Sequence, residues 1–115
     1  MRIDKGLRFR QWEYWILFLL SQADHGTLSL DELRRLIGPK MNLSKRDWEP
    51  TRESKGKPRW DTDLRSALYW GPKSLKSREL IRNASYSGIY EIAPQGREHL
   101  KSYKGPPEPD NEDYI

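Results

Sequence analysis

Cysteine is absent from the 115-residue chain, so no disulfide framework, thiolate zinc site or cysteine nucleophile is open to it. Valine is absent too, which disfavours an all-β fold, since strands favour β-branched residues. Long apolar runs are missing as well. The longest, Trp15 to Leu20, is far shorter than the roughly 20 residues that span a bilayer, and it lacks the small-residue cleavage site of a signal peptide. Leu, Ile and Phe number 14, 7 and 2, about one fifth of the chain, a share at the edge of disordered composition. Five Trp and six Tyr weigh against disorder, because aromatic side chains bury large areas. The formal charge is +4 and the pI near 9.4, which makes a polyanionic partner the first to test. The expectation is a small, soluble, cytoplasmic, basic domain with one modest core.

The charge is unevenly spread. Residues 45–82 hold eleven basic and six acidic side chains, a net of +5. Residues 105–115 hold Glu108, Asp110, Glu112 and Asp113 with no basic residue, leaving residues 1–104 at +8. Pro106, Pro107 and Pro109 deny that end a helix or a central strand. It reads as a disordered acidic tail after a domain of residues 1–104. Two roles are open to it: a solubilising terminus, or a competitor with nucleic acid for the basic surface.

Periodicity sets the elements. Phe9, Trp12, Ile16, Leu19, Leu20 and Ala23 recur at three- and four-residue spacing and predict a first helix. Tyr14, Trp15 and Phe18 face away from that stripe, so either residues 1–8 fold back over them or a second copy covers them in a homodimer. Gly26 stops the helix, and Thr27-Leu28 is a short extended piece. Ser29 with Glu32 spells a capping box ahead of a second helix carrying Leu30, Leu33, Leu36 and Ile37, which Gly38-Pro39 ends. Ser44 caps a short turn reaching Trp48, and residues 49–60 form an exposed basic loop. A third helix is expected to start at Asp61 or Thr62, with Leu64, Ala67, Leu68, Gly71 and Leu75 inward and a kink or break at Pro72. Leu80–Asn83 and Ile89–Ile92 flank a polar, Gly-containing turn and read as a hairpin. Pro94 opens a last helix.

This order, helix, short strand, two helices, hairpin, helix, predicts an α+β, mostly α fold of the winged helix-turn-helix type. Three helices form its core, a short strand joins a β-hairpin wing, and a C-terminal helix follows. In that architecture the third helix enters the major groove and the wing meets phosphates or the minor groove.

From Trp70 onward the chain resembles the amino-terminal winged-helix domain of Mrr-type restriction proteins. Trp70-Gly71-Pro72-Lys73-Ser74-Leu75-Lys76-Ser77-Arg78-Glu79-Leu80-Ile81 is similar to that family's WA-x-x-x-L-x-x-x-G-L-I segment. Ser87-Gly88-Ile89-Tyr90-Glu91-Ile92-Ala93-Pro94-Gln95-Gly96-Arg97-Glu98-His99-Leu100 is similar to its x-G-x-[YW]-x-[IL]-T-x-x-G-R-x-x-L segment, a pattern shared with many winged helices. Glu79 stands where the family usually has Gly, Ala93 where it has Thr, and Pro72 interrupts the long helix. The resemblance spans roughly residues 9–103 and implies DNA binding, with recognition of modified bases as one form. It does not imply cleavage, because the 115 residues hold no sequence of the nuclease domain that follows in full-length Mrr-type proteins.

On this reading the DNA-facing positions of the third helix are Arg65, Ser66, Tyr69, Lys73 and Lys76, whose side chains suit guanine edges, phosphates and stacking. Arg82, Asn83 and Tyr86, with Ser85 and Ser87, are wing candidates. Arg52, Lys55, Lys57 and Arg59 make the loop either a phosphate-binding arm or a plain flexible insertion. Lys45 and Arg46 are further backbone candidates. Trp12, Trp48, Trp60 and Trp70 read as packing anchors, Trp70 against the wing, with Trp60 the most exposed.

An enzymatic role finds little support. His25 and His99 are the only histidines, and they lack zinc-site spacing. Glu53-Ser54-Lys55 spells the E-x-K of metal-dependent nucleases, but in a polar loop rather than on a strand. No Gly-rich phosphate loop is present. No cofactor, metal or small-molecule substrate is therefore expected, and the partner is double-stranded DNA bound by a regulator or by the recognition module of a restriction system. The alternative is a protein-interaction winged helix that dimerises or acts as an adaptor without touching DNA.

Overall fold

A computed structural model describes residues 5–50, 52, 55–84 and 88–107 of the chain. It is an α+β structure, about half helical, with one small antiparallel sheet. Helix α1 (Lys5–Gln22) runs through the middle. Its Trp12, Ile16, Leu17 and Leu20 are fully buried, and it packs against α2 (Leu30–Ile37), α4 (Arg59–Leu68) and α5 (Pro94–Lys101). The α1 stripe thus supplies the common wall of the core, which Leu33, Ile37, Leu64, Leu68, Leu75 and Ile81 complete. Burying such side chains stabilises by about 1.5–3 kcal/mol each.

The sheet has the order β1-β3-β2, with β1 spanning Thr27–Ser29, β2 Ile81–Asn83 and β3 Ile89–Ile92. In register, Leu28 faces Tyr90 on one side of β3 and Ile81 faces Ile92 on the other. Tyr90 and Ile92 alternate inward along β3, as the period of a half-buried strand requires. The expected hairpin is therefore present, and its central strand also holds the short extended piece that follows α1.

Capping follows the sequence closely. Ser29 Oγ accepts from the Glu32 amide (3.1 Å) and the Ser29 amide donates to Glu32 Oε1 (2.9 Å). These bonds, first the one from the Ser29 backbone, hold the Glu32 carboxyl below its usual value. Ser44 and Asp47 form the same reciprocal box on the short helix α3 (Lys45–Trp48). At Gly96 the start of α5 crosses Leu80 so closely that a Cβ would lie 2.1 Å from the Leu80 carbonyl oxygen.

The third long helix departs from expectation at both ends. α4 begins at Arg59, with Pro58 extended before it, rather than at Asp61 or Thr62. The Arg59 amide, unable to bond within the helix, donates instead to Glu49 O (2.9 Å). α4 ends at Leu68, four residues before Pro72. A residue preceding proline is steered away from helical geometry, and Gly71 turns to φ +82°. The Tyr69 and Trp70 amides fold back on Arg65 O. Leu75 and Lys76 then donate to Ala67 O and Leu68 O, closing the open carbonyls of the last turn. Leu75 reaches the core from this turn rather than from a helix, and Gly71 is exposed instead of inward.

Trp60 also corrects the sequence reading. It is 8% exposed, stacked on Trp12 at 6.4 Å with Trp48 edge-on at 5.6 Å. Trp48 and Trp70, read as anchors, are the exposed ones at 56% and 47%. The shift of the α4 start explains the exchange: Trp60 falls in the first helical turn on its inward face, not at the end of a loop.

Candidate nucleic-acid interface

The expected DNA-reading helix has an inward face of Trp60, Asp61, Leu64, Ala67 and Leu68, all buried. Its remaining residues, Arg59, Thr62, Asp63, Arg65 and Ser66, are half-buried, so α4 carries no fully exposed residue. Asp61 anchors it electrostatically. Its buried carboxylate accepts from Arg34 Nε (2.6 Å) and lies 3.2 Å from Arg65 Nε. The Arg65 guanidinium is also 5.2 Å from the centre of the Trp70 ring. Arg65 is thus held between a carboxylate and an indole rather than projecting freely. Tyr69, just past the helix, lies parallel to Tyr90 of β3 at 6.3 Å, which couples the end of α4 to the sheet.

Exposed cations stand in both segments that flank α4, as they do elsewhere on the surface at Arg10, Arg35, Lys40, Arg97, Lys101 and Lys104. On one side, Arg52, Lys55 and Lys57 project from a loop closed at its neck by the Pro50–Pro58 bridge and the Arg59-to-Glu49 bond. Lys45 and Arg46 are exposed on α3, which packs on α4. On the other side, Lys73 and Lys76 are exposed in the turn after the helix and not on it, which corrects their expected position. That turn is rigid. Buried Ser74 and neighbouring Ser77 both donate to Gly71 O (3.0 and 2.8 Å), and the Ser77 amide donates to Ser74 Oγ (3.2 Å).

In the β2–β3 hairpin, Arg82 pairs with Glu91 across the strands at 3.4 Å and Asn83 is half-buried. Tyr86, Ser85 and Ser87 lie outside the described residues, as do Glu53 and Ser54 of the E-x-K triplet. Of the proposed dimer face, Tyr14 is only 8% exposed because Tyr103 of the same chain packs on it at 5.4 Å, while Trp15 and Phe18 are half-buried. Among the described residues no group of three or more His, Cys, Asp or Glu side chains is placed to hold a metal ion. Among them, too, no helix is long and apolar enough to cross a membrane.

One polar cluster escaped the sequence reading. Glu13 of α1 is 3% exposed and accepts hydrogen bonds from Arg78, from His99 Nε2 (2.9 Å) and from Tyr103. Burial, aided by the charge of Arg78, lowers the His99 imidazole below its usual value. Residues 105–107 pass the same place, where Gln11 Nε2 donates to Pro107 O (3.2 Å), and residues 108–115 lie outside the described residues. The signal was a lone carboxylate between Trp12 and Tyr14 in an apolar helix, a position that requires buried donors.

The family model of the Mrr N-terminal domain matches residues 12–102. The chain belongs to that family. Its match runs from Trp12 within α1 through α5 and so includes both cation-bearing segments. The Mrr N-terminal domain is a restriction-related module distinct from the catalytic nuclease domain of such proteins. No curated protein and no solved structure matches this Mrr-family chain.

Proposed function

We propose that this chain is a non-catalytic, cytoplasmic winged-helix module that binds double-stranded DNA, as the recognition element of a restriction system or as a small regulator. The observation that carries the reading is the pairing of exposed cations on both sides of α4. Arg52, Lys55 and Lys57 flank one end, and Lys73 and Lys76 flank the other, on segments bonded to the helix backbone. The α1–β1–α2–α3–α4–β2–β3–α5 order is compatible with a winged helix and supports α4 and the wing as the elements that approach DNA.

The half-buried state of α4 shifts the emphasis from base edges to phosphates. Loop and turn lysines neutralise the backbone, fix register and supply most of the affinity. Arg65 reaches a base edge only by leaving Asp61 and Trp70, so any sequence reading by it carries that cost.

A gel-shift titration tests the proposal. The intact chain shifts a duplex of about 20 base pairs at low ionic strength, and Lys73→Glu with Lys76→Glu weakens binding at least tenfold. No shift by the intact chain at micromolar concentration contradicts it. Unchanged binding by the double variant removes the turn from the interface. A dimer without a shift supports the adaptor reading, with Trp15 and Phe18 as its face.

A further inference from the structure

Trp70 is the largest apolar side chain that the fold leaves outside the core in the turn that follows α4. In a chain with a mean hydropathy of −0.98 and only two Phe, this indole is 47% exposed. Three observations say what it faces. The Arg65 guanidinium, fixed by Asp61, lies 5.2 Å from the ring centre, and Tyr69 meets it edge-on at 5.9 Å. The following turn is braced by Ser74 and Ser77 on Gly71 O, so the ring is presented from a rigid base. Past Gly71, where a Cβ would meet no atom within 4 Å, the exposed Lys73 and Lys76 follow. An aromatic plane backed by a cation, with exposed lysines three and six positions further along the chain, is complementary to a nucleobase attached to phosphates.

We propose that Trp70 is a nucleobase-stacking residue, so that this surface favours duplex DNA carrying an unstacked base over fully paired duplex. The proposal rests on the DNA-binding reading and names the form of DNA that the site prefers. In a regular duplex every base already stacks on its neighbours, and the indole finds no partner unless unstacking energy is spent. A single-base bulge has spent that energy beforehand. Stacking then adds to the phosphate contacts, and the preference is about tenfold, or about 1.4 kcal/mol.

The test compares a fully paired duplex with the same duplex bearing one unpaired 2-aminopurine. Fluorescence anisotropy gives the two dissociation constants for the intact chain, Trp70→Ala and Trp70→Phe. Circular dichroism confirms that the exposed substitutions leave the fold and its melting midpoint unchanged. The intact chain should prefer the bulged duplex about tenfold. Trp70→Ala should bring that ratio near one while keeping the affinity for paired duplex, and Trp70→Phe should restore most of it. Equal binding of both duplexes by the intact chain, or an unchanged ratio in Trp70→Ala, overturns the stacking role and leaves DNA binding standing. Binding of neither duplex overturns both.

Discussion

Arg78 donates a hydrogen bond to Glu13, 65 positions earlier in the chain, and so ties the turn that carries Lys73 and Lys76 to the central helix. His99 of α5 and Tyr103 meet the same carboxylate. One buried acid therefore holds the central helix, the cation-bearing turn and the last helix together. Removing it strands Arg78 without its partner. We predict that Glu13→Ala lowers the unfolding free energy by about 2 kcal/mol, a value moderated because Arg78 keeps some contact with water. Urea denaturation measures it, and a loss under about 0.5 kcal/mol would reduce the cluster to a surface feature.

Gly96 allows α5 to cross Leu80 in contact with backbone. A methyl group there would sit 2.1 Å from a carbonyl oxygen that anchors the Ala93 amide. Neither backbone segment yields as a side chain would, so Gly96→Ala should cost about 3 kcal/mol despite the better helix propensity of alanine. Thermal denaturation would show the effect as a lower midpoint, and an unchanged midpoint would mean that α5 does not pack this closely.

Trp60 and Trp48 touch, yet they contribute differently. Trp60→Ala empties core volume beside Trp12 and should destabilise by about 3–5 kcal/mol. Trp48→Ala removes a side chain 56% exposed and should cost about 1 kcal/mol or less. Equal losses in chemical denaturation would return Trp60 to the loop position suggested by its sequence neighbours.

Glu32 supplies a pH signature. Its hydrogen bonds from Ser29 depress the folded-state value below the ordinary 4.5, so the unfolded chain takes up protons first as the solution is acidified. The stability that this carboxylate contributes is present above about pH 4.5 and is lost as the pH falls through the folded value. Glu32→Gln should flatten that part of the stability–pH curve. Ser29→Ala should do the same and also cost about 1 kcal/mol at neutral pH through the lost cap. A curve of unchanged slope in both variants would contradict the capping box.

Much of this architecture was legible locally. The α1 stripe, the Ser29–Glu32 box, the Ser44 cap, the hairpin and the Pro94 start all depend on residues within one or two turns of each other. The end of α4 was misplaced because Pro72 acts backward through Gly71 and because the Leu75 and Lys76 amides replace the missing helical bonds. Its start was misplaced because Arg59 finds its acceptor on Glu49, across the loop. The candidate site was legible in its residue types. Lys73 and Lys76 are exposed cations as expected, but they project from a turn, and Arg65 is committed to Asp61 and Trp70. Asp61–Arg65 is a local i,i+4 pair, whereas the Arg34–Asp61 contact and the Glu13 cluster join residues far apart in the chain and leave no periodic trace.

The central claim is that exposed cations flanking α4 bind DNA phosphates, and the salt dependence of binding tests it most directly. Five such side chains, Arg52, Lys55, Lys57, Lys73 and Lys76, each release about 0.9 counterion on contact. A plot of the logarithm of the association constant against that of the salt concentration should therefore fall with a slope of about −4.5. A slope near zero, or no association at low ionic strength, would contradict the account.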